Sequence, residues 1–408
     1  GTYDAQAKNS NTFVIKTSTS IAINETWNAT EDQILYASDP VTFDFFGFSV
    51  STSGDYAIVG ARYHHFSSFN DEGNLRTGAA YIYKRNASTG SWGSEQKILG
   101  NNSSDRFGNT VSISDDYAIV GAYYEDSDNS GAAYIYKRNA STGVWGDEQM
   151  IKASDKVGDD YFGWSASISG DYAIVGAYRK NSYEGSAYIY KRNTSTGSWG
   201  SEQKISASDA ESGDYFGYSV SISGDYAIVG AYKEHAGGIS DAGAAYIYKR
   251  NASTGVWGDE QKISASDKAA SDWFGHSVSI SGDNAIVGVK KANQGGLSDT
   301  GAAYIFKRTK TTWNEVKKLS ASDKDADDWF GYTVGISSDY AIVGAHMEDT
   351  GGDRAGAAYM YEKVVSGGIT RSQVWNATED QILYGSDPGQ DDNFGHAVAV
   401  DGNYAVVG

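Results

Sequence analysis

Over short windows the chain alternates between polar and apolar positions. Residues 219–223 read Ser-Val-Ser-Ile-Ser, the period of two expected of a strand with one buried face. Ser-Gly-Asp-Tyr at 223–226 interrupts the alternation with a glycine that tolerates positive φ, which predicts a tight hairpin turn. Residues 226–230, Tyr-Ala-Ile-Val-Gly, are continuously apolar, as in a strand covered on both faces. Residues 244–249 predict a third strand. The polar turn Asn251-Ala-Ser-Thr-Gly follows, and Gln261-Lys-Ile-Ser predicts a fourth. No helical period is sustained anywhere, so the expected class is all-β.

This four-strand pattern recurs along the whole chain. Phe-Gly pairs begin at Phe46, Phe107, Phe162, Phe216, Phe274, Phe330 and Phe394, with steps of 54 to 64 residues. Each is followed by Ala-Ile-Val-Gly or Ala-Val-Val-Gly, ending at Gly60, Gly121, Gly176, Gly230, Gly288, Gly344 and Gly408. Gly-Ala-Ala-Tyr-Ile-Tyr or a near copy opens at Gly78, Gly131, Gly185, Gly243, Gly301 and Gly356, and a Trp comes next. A repeat this long, with four antiparallel strands in it, predicts a β-propeller with one repeat per blade. It is longer than a WD40 blade of roughly 40–45 residues.

The count of motifs predicts how the ring closes. The third-strand motif stops at six, because the chain ends after the second strand of the seventh unit. Yet the Trp occurs seven times, at Trp27, Trp92, Trp145, Trp199, Trp257, Trp313 and Trp375. Trp27 precedes every Phe-Gly and heads a segment, 27–40, nearly identical to 375–388. Upstream, Thr12-Phe-Val-Ile-Lys16 lies where a third strand belongs. The expectation is a single domain, 1–408: a seven-bladed propeller with blades starting near 46, 107, 162, 216, 274, 330 and 394. Residues 1–45 complete the last blade, with N-terminal strands (about 12–40) pairing with C-terminal strands (about 394–408). Closure of this kind leaves no exposed sheet edge.

Phe-Gly, a hairpin, Val-Gly-Ala and then Gly-Ala-Ala-Tyr-Ile-Tyr resembles the FG-GAP repeat of integrin α-subunit propellers and of many secreted or surface proteins. The resemblance covers all seven units and implies the propeller fold; for function it implies adhesion, ligand binding or scaffolding alike. Two departures stand out. The family's Gly-Ala-Pro is here Gly-Ala-Arg (60–62), Gly-Ala-Tyr (121–123, 176–178, 230–232), Gly-Val-Lys (288–290) or Gly-Ala-His (344–346). The Asp-x-Asp-x-Asp-Gly calcium loops of many members are replaced by short turns such as Gly54-Asp55 and Gly224-Asp225, which cannot supply the oxygens calcium takes. No cofactor or metal is expected.

Composition narrows the partners. Lys and Arg total 33 against 52 Asp and Glu, a net charge of −19, which argues against nucleic acid and anionic membranes. The absence of Cys excludes disulfides, thiolate metal sites and a Cys nucleophile. No apolar run is long enough to span a membrane, and the first residues do not read as a signal peptide, so a soluble mature chain or an excerpt of one is expected.

Several columns of residues carry candidate chemistry. An Asp stands two before each Phe-Gly (Asp44, Asp105, Asp160, Asp214, Asp272, Asp328, Asp392), and in six units another precedes it by five (Asp39, Asp155, Asp209, Asp267, Asp323, Asp387). These form either a carboxylate ring for cations or, by the favoured reading, the hydrogen-bonded turns between blades. Asn-x-Ser/Thr sequons at Asn24, Asn28, Asn86, Asn101, Asn102, Asn139, Asn193, Asn251 and Asn376 are candidate N-glycosylation sites. Asn86, Asn139, Asn193 and Asn251 share one turn and would decorate one rim. His64 and His65 lie in the longest connection, 61–77, and are the candidate ligand-loop residues; His276 and His396 occupy a mostly aromatic slot and read as packing. The Trp column and the aromatics before Phe-Gly (Phe45, Tyr161, Tyr215, Trp273, Trp329) read as packing between blades, with sugar stacking as the alternative.

No nucleophile–base pair or isolated acid pair departs from the repeat, so no catalytic residue is assigned. The expected function is that of an extracellular, cell-surface structural or adhesive glycoprotein, non-catalytic, and a subunit of a larger assembly or filament. Its partners would be further copies of itself, other surface proteins and glycans. A carbohydrate- or protein-binding propeller is the alternative, and a polysaccharide-active enzyme the less favoured one. A strand swap of residues 12–16 into a neighbour's ring is a further route to a polymer.

Overall fold

The computed structural model describes residues 12–17, 27, 31–65, 77–102, 104–366 and 372–408. It is a β-propeller of antiparallel four-stranded blades. Its strands gather into seven sheets. A representative blade runs Ser219–Ser223, Tyr226–Ala231, Ala244–Arg250 and Trp257–Ile263, each strand pairing with the next. The second and third strands are almost wholly buried, as the continuous apolar runs require. The fourth strand carries a register shift between Ile247 and Lys249, a bulge that twists the outer edge. The sixth sheet splits its fourth strand into Ser372–Trp375 and Gln381–Leu383, both paired with Ala357–Ser366.

One sheet draws on both ends of the chain. Thr12–Thr17 pairs on one side with Gln33–Tyr36 and on the other with Tyr404–Val407, bringing Ile15 opposite Val406 of the same chain. The sheet packs on both sides. Val406 and Ala397 join a buried cluster with Val50, Val59 and Trp92 of the first sheet, while Val398 and Val407 join Ile342 and Met360 of the sixth.

The repeated motif is a contact between blades. In each of six connections the Gly that opens the third strand bridges, in parallel, the Phe of the next Phe-Gly: Gly78 to Phe107, Gly185 to Phe216, Gly356 to Phe394. A Cβ on Gly185 would overlap the Phe216 carbonyl oxygen, and one on Gly217 would overlap the Ser186 carbonyl. Both also have φ above +80°. The Gly ending the second strand meets the same loop: Gly176 lies against the Gly217 carbonyl, and Gly408 lies likewise against that of Gly47. Three glycines are thus required where three backbones meet. In most blades the Phe is buried edge-on against two aromatic residues of its own third strand, as Phe216 is against Tyr246 and Tyr248 at 5.5 and 6.3 Å. Such a ring stabilises the fold by roughly 2–3 kcal/mol.

Two belts tie the blades together. At the inner strands, serines accept the next blade's backbone N–H, as Ser51 does from Ile113 and Ser221 from Ile280, each at 3.2 Å. At the outer strands, a Gln forms two bonds with the next Trp backbone: Gln203 Nε2 donates to the Trp257 carbonyl at 2.6 Å and its Oε1 accepts the Trp257 N–H at 2.9 Å. The Trp column is buried, and six of its seven members meet a Tyr of the preceding blade edge-on, including Trp27 on Tyr340 and Trp92 on Tyr404. These tryptophans are packing residues. Among the described residues no helix is long and apolar enough to cross a membrane.

Candidate functional site

Antiparallel connectivity places two kinds of connection on one face: fourth strand to next first strand, and second strand to third. The hairpins lie on the opposite face. The Phe-Gly face carries the chemistry.

Around the axis, the residues directly after Phe-Gly meet in a circuit. Phe48 lies 4.6 Å from His396, His396 5.1 Å from Tyr332, Tyr332 5.0 Å from His276, His276 5.2 Å from Tyr218, and Tyr218 5.5 Å from Trp164. Asn109 donates to the Trp164 carbonyl at 2.9 Å and accepts from Arg62 at 3.3 Å, and the Arg62 guanidinium sits 3.5 Å over the Phe48 ring. Burial pushes His276 down to about 3, His396 to about 4 and the neighbouring His346 to about 2, so all three are neutral at physiological pH. The two histidines read as packing residues do pack here.

A second circle surrounds the first. The residue before each Phe-Gly adopts positive φ in all seven units: Phe45, Arg106, Tyr161, Tyr215, Trp273, Trp329 and Asn393, from 55° to 66°. Bulky residues seldom sit there, and each costs about 1–2 kcal/mol of backbone strain. Of these rings Phe45 is open to solvent, Tyr215, Trp273 and Trp329 are half-buried and Tyr161 is buried, all apart from the buried Trp column. Phe45 is 46% exposed and its neighbour Phe43 62%.

Cations rest on these rings and on neighbouring ones. Arg106, itself a member of the circle, lies 4.0 Å over Tyr63, Arg179 4.3 Å over Tyr161, and Lys233 4.7 Å over Tyr215. Lys290 stands 4.3 Å over Trp329 and 5.0 Å over Trp273; it is buried, and desolvation brings it down to about 8. Lys291 pairs with Asp299 at 3.7 Å.

The Asp columns hold turns. Asp160, Asp214, Asp272 and Asp392 each accept the backbone N–H of the residue three before, at 2.6–2.7 Å. The second column anchors a Tyr hydroxyl and a Lys, as Asp209 does Tyr246 at 2.8 Å and Lys262 at 2.7 Å. What faces the first column varies with the blade. His64 meets Asp44 at 2.7 Å and Lys180 meets Asp160 at 2.7 Å, but in blade 2 the slot is Glu125, buried beside Asp105. There Gly100 and Met150 replace the usual second Asp and its Lys. Burial first, then Glu125, raises Asp105 to about 7. An open cavity of about 450 Å³ adjoins the pair, lined also by Asn102, Tyr124 and Asp126. Among the described residues no three His, Cys, Asp or Glu side chains are grouped to hold a metal ion.

His64 requires a correction. It is 1% exposed, locked between Asp44 and Lys97, and so cannot meet a ligand. His65 stands beside it, 3.9 Å from Asp44, and residues 66–76 of that connection lie outside the described residues. The sequons sort by which atom is engaged. Asn86, Asn139, Asn193 and Asn251 are exposed on the opposite face and use only Oδ1, accepting from the backbone two and three residues on. Asn101, Asn102 and Asn376 instead donate Nδ2 to Glu148, Glu125 and Asp380. Asn24 and Asn28 lie outside the described residues.

These features define a β-propeller whose blades are joined by a repeated Phe-Gly and glycine contact. The chain belongs to the FG-GAP repeat family, which it matches over residues 29–83, 92–136, 145–190, 199–248, 257–306, 313–361 and 377–408. No curated protein sequence matches it. Similar solved structures include the periplasmic gluconolactonase PpgL of Pseudomonas aeruginosa, at 12% identity, TM-score 0.48, covering 92% of this chain and 100% of that one. The β-propeller domain of the Trilobed protease from Pyrococcus furiosus is similar at 10% identity and TM-score 0.42, covering 88% and 90%. The Neurospora crassa Pan2 WD40 domain is similar at 11% identity and TM-score 0.45, covering 90% and 91%.

Proposed function

We propose that this chain is a non-catalytic adhesive module displayed outside the cell, a closed seven-bladed ring that binds its partner through the Phe-Gly face. Its seventh blade is the clasp of about 12–40 with about 394–408. The pairing of Thr12–Thr17 with Tyr404–Val407 and the Gly408–Gly47 contact support that closure. The difference between the two faces carries the functional reading. One presents four exposed sequons with the amide nitrogen unengaged; the other presents strained aromatics under cations and has its sequon amides tied to carboxylates. Glycans on the first would leave the second as the bare contact surface.

The test is intact mass and light scattering on protein secreted from a eukaryotic host. The mass should exceed the 43.7 kDa of the chain and return to it on enzymatic glycan removal. Blocking the Phe-Gly face with a directed nanobody should abolish cell-surface binding. Secreted protein at the bare chain mass would overturn the glycoprotein reading, and binding that survives the block would overturn the choice of face.

A further inference from the structure

The arginines of the Phe-Gly face break the rule that the other described arginines keep. Elsewhere each described Arg finds a carboxylate, as Arg85 does Asp55 and Arg250 does Asp225, and some lysines do, as Lys204 does Asp155 and Lys318 does Asp267, although the third-strand lysines such as Lys84 and Lys191 do not. Arg62, Arg106, Arg179, Lys233 and Lys290 have no carboxylate within ion-pair distance among the described residues, in a chain of net charge −19. One carries a further deficit: Lys290 is 8% exposed with only rings beneath it. Leaving charges unpaired and half desolvated is costly unless something else supplies the counter-charge.

They are also spaced. One stands in each of five consecutive blades, the first to the fifth, and the sixth puts Met347 and the neutral His346 in the corresponding positions. The five come from three different slots of the repeat, yet all sit beside the strained aromatic circle. We propose that this arc binds a linear acidic polysaccharide, its carboxylates meeting successive cations and its sugar faces resting on the aromatics between them. This rests on the reading that the Phe-Gly face is the binding surface, and adds the ligand's chemical class. A polyanion is repelled by the chain as a whole, so the arc is where complementarity exists. The rings distinguish a sugar polymer from an acidic peptide, because pyranose faces can rest on Phe45, which is 46% exposed, and on the open edges of the half-buried Tyr215, Trp273 and Trp329, as a poly-glutamate chain does not.

The experiment is calorimetric titration of the full chain with an oligogalacturonate long enough to cross five blades, with a neutral xylo-oligosaccharide and poly-glutamate as comparators. Oligogalacturonate should bind, with affinity falling as salt rises. Arg106→Gln with Arg179→Gln should weaken it at least about tenfold, and Trp273→Ala by a similar factor. Arg354→Gln, which removes a cation paired with Asp391 in blade 6, should leave it unchanged. Poly-glutamate binding equally well, indifferent to Trp273→Ala, would overturn the sugar class. Neutral oligosaccharide binding that ignores the arginines would overturn the anionic ligand and leave the binding face standing. No binding by any of the three, in protein with unchanged melting temperature, would overturn the proposal.

Discussion

The junctions among the first five blades and the junction between the sixth and seventh sheets solve the same packing problem with different means. Between blades 3 and 4, inner serines accept the backbone N–H of Ile222 and Gly224, and Gln203 clasps the Trp257 backbone. At the junction of sheets six and seven, Gly335 replaces the serine, and among the described residues neither belt has a bond. What both keep is the glycine contact: Gly176 on the Gly217 carbonyl, Gly344 on that of Gly395. The comparison separates what the architecture demands, which is backbone proximity, from what only strengthens it.

The largest expected effect tests the shared element. Gly217→Ala and Gly395→Ala each place a Cβ onto a carbonyl oxygen at φ near +90°, and each should cost roughly 4 kcal/mol or more. Gly224→Ala, at φ +56° with open space around it, should cost only about 1 kcal/mol. Thermal melting of the three variants checks the order. If the seam is the weaker junction, hydrogen exchange in the Gly395 variant will rise first at Val398–Asp401 while Ser219–Ser223 stays protected.

Next in size is the outer belt. Gln203→Ala removes both bonds to Trp257 and leaves a buried backbone pair short, for an expected loss of about 2 kcal/mol by denaturant titration. The glutamine belongs to a blade with both belts, so the loss should lower the whole transition instead of opening one seam.

A smaller effect sets blade 2 against blade 3. Asp155, hydrogen-bonded to Lys204 and Tyr188, is held down at about 2, so its stabilisation is present above the unfolded value near 4 and is lost as pH falls through 2. Asp105 is raised to about 7 by burial and Glu125 and has the opposite sign. The folded state holds its proton longer than the unfolded state does, so stability declines as pH rises from about 4 to about 7. Asp105→Asn should flatten that decline and raise the melting temperature at pH 8 by a few degrees, roughly 2–4 °C per kcal/mol recovered. A decline unchanged in the variant would assign it to another group.

Much of this was legible in the sequence, because repetition exposes geometry. Glycines fixed in register signal close backbones, and the extra Trp27 pointed to the N-terminal strands, which share a sheet with Tyr404–Val407. The turn role of Asp44 and its six equivalents was readable for the same reason. The cation arc was not. Arg62, Arg106 and Arg179 occupy different slots of the repeat, and only the convergence of two connections on one face brings them together. Gly-Ala-Arg and Gly-Val-Lys at 60–62 and 288–290 marked two of the five as departures. His64 misled for the converse reason: it lies in a long connection, but its ring turns inward to a buried Asp that no local pattern reveals. The sequons could be found but not ranked, since whether Nδ2 is engaged depends in part on residues distant in sequence, such as Glu148 for Asn101 and Glu125 for Asn102.

The smallest expected effect runs the comparison backwards, by supplying the weak junction with what it lacks. Gly335 is the counterpart of Ser51 and Ser221, and a Cβ built there stands 3.5 Å from the backbone nitrogen of Val400, the counterpart of Ile113 and Ile280. Its tightest neighbour, at 3.0 Å, is the γ2 methyl on the branched Cβ of buried Ile342, so the paired strand must give by a few tenths of an ångström. Its φ is not in the left-handed region, so a side chain adds no backbone strain, and replacing glycine lowers the entropy of the unfolded chain. Gly335→Ser should therefore install the missing acceptor and stabilise the fold by about 0.5–1 kcal/mol. Gly335→Ala takes the entropy gain without the bond and serves as the control. Slower exchange of the Val400 amide in the serine variant alone would show that the seam is weak for want of that hydrogen bond. Equal slowing in both variants would place the weakness in chain flexibility instead.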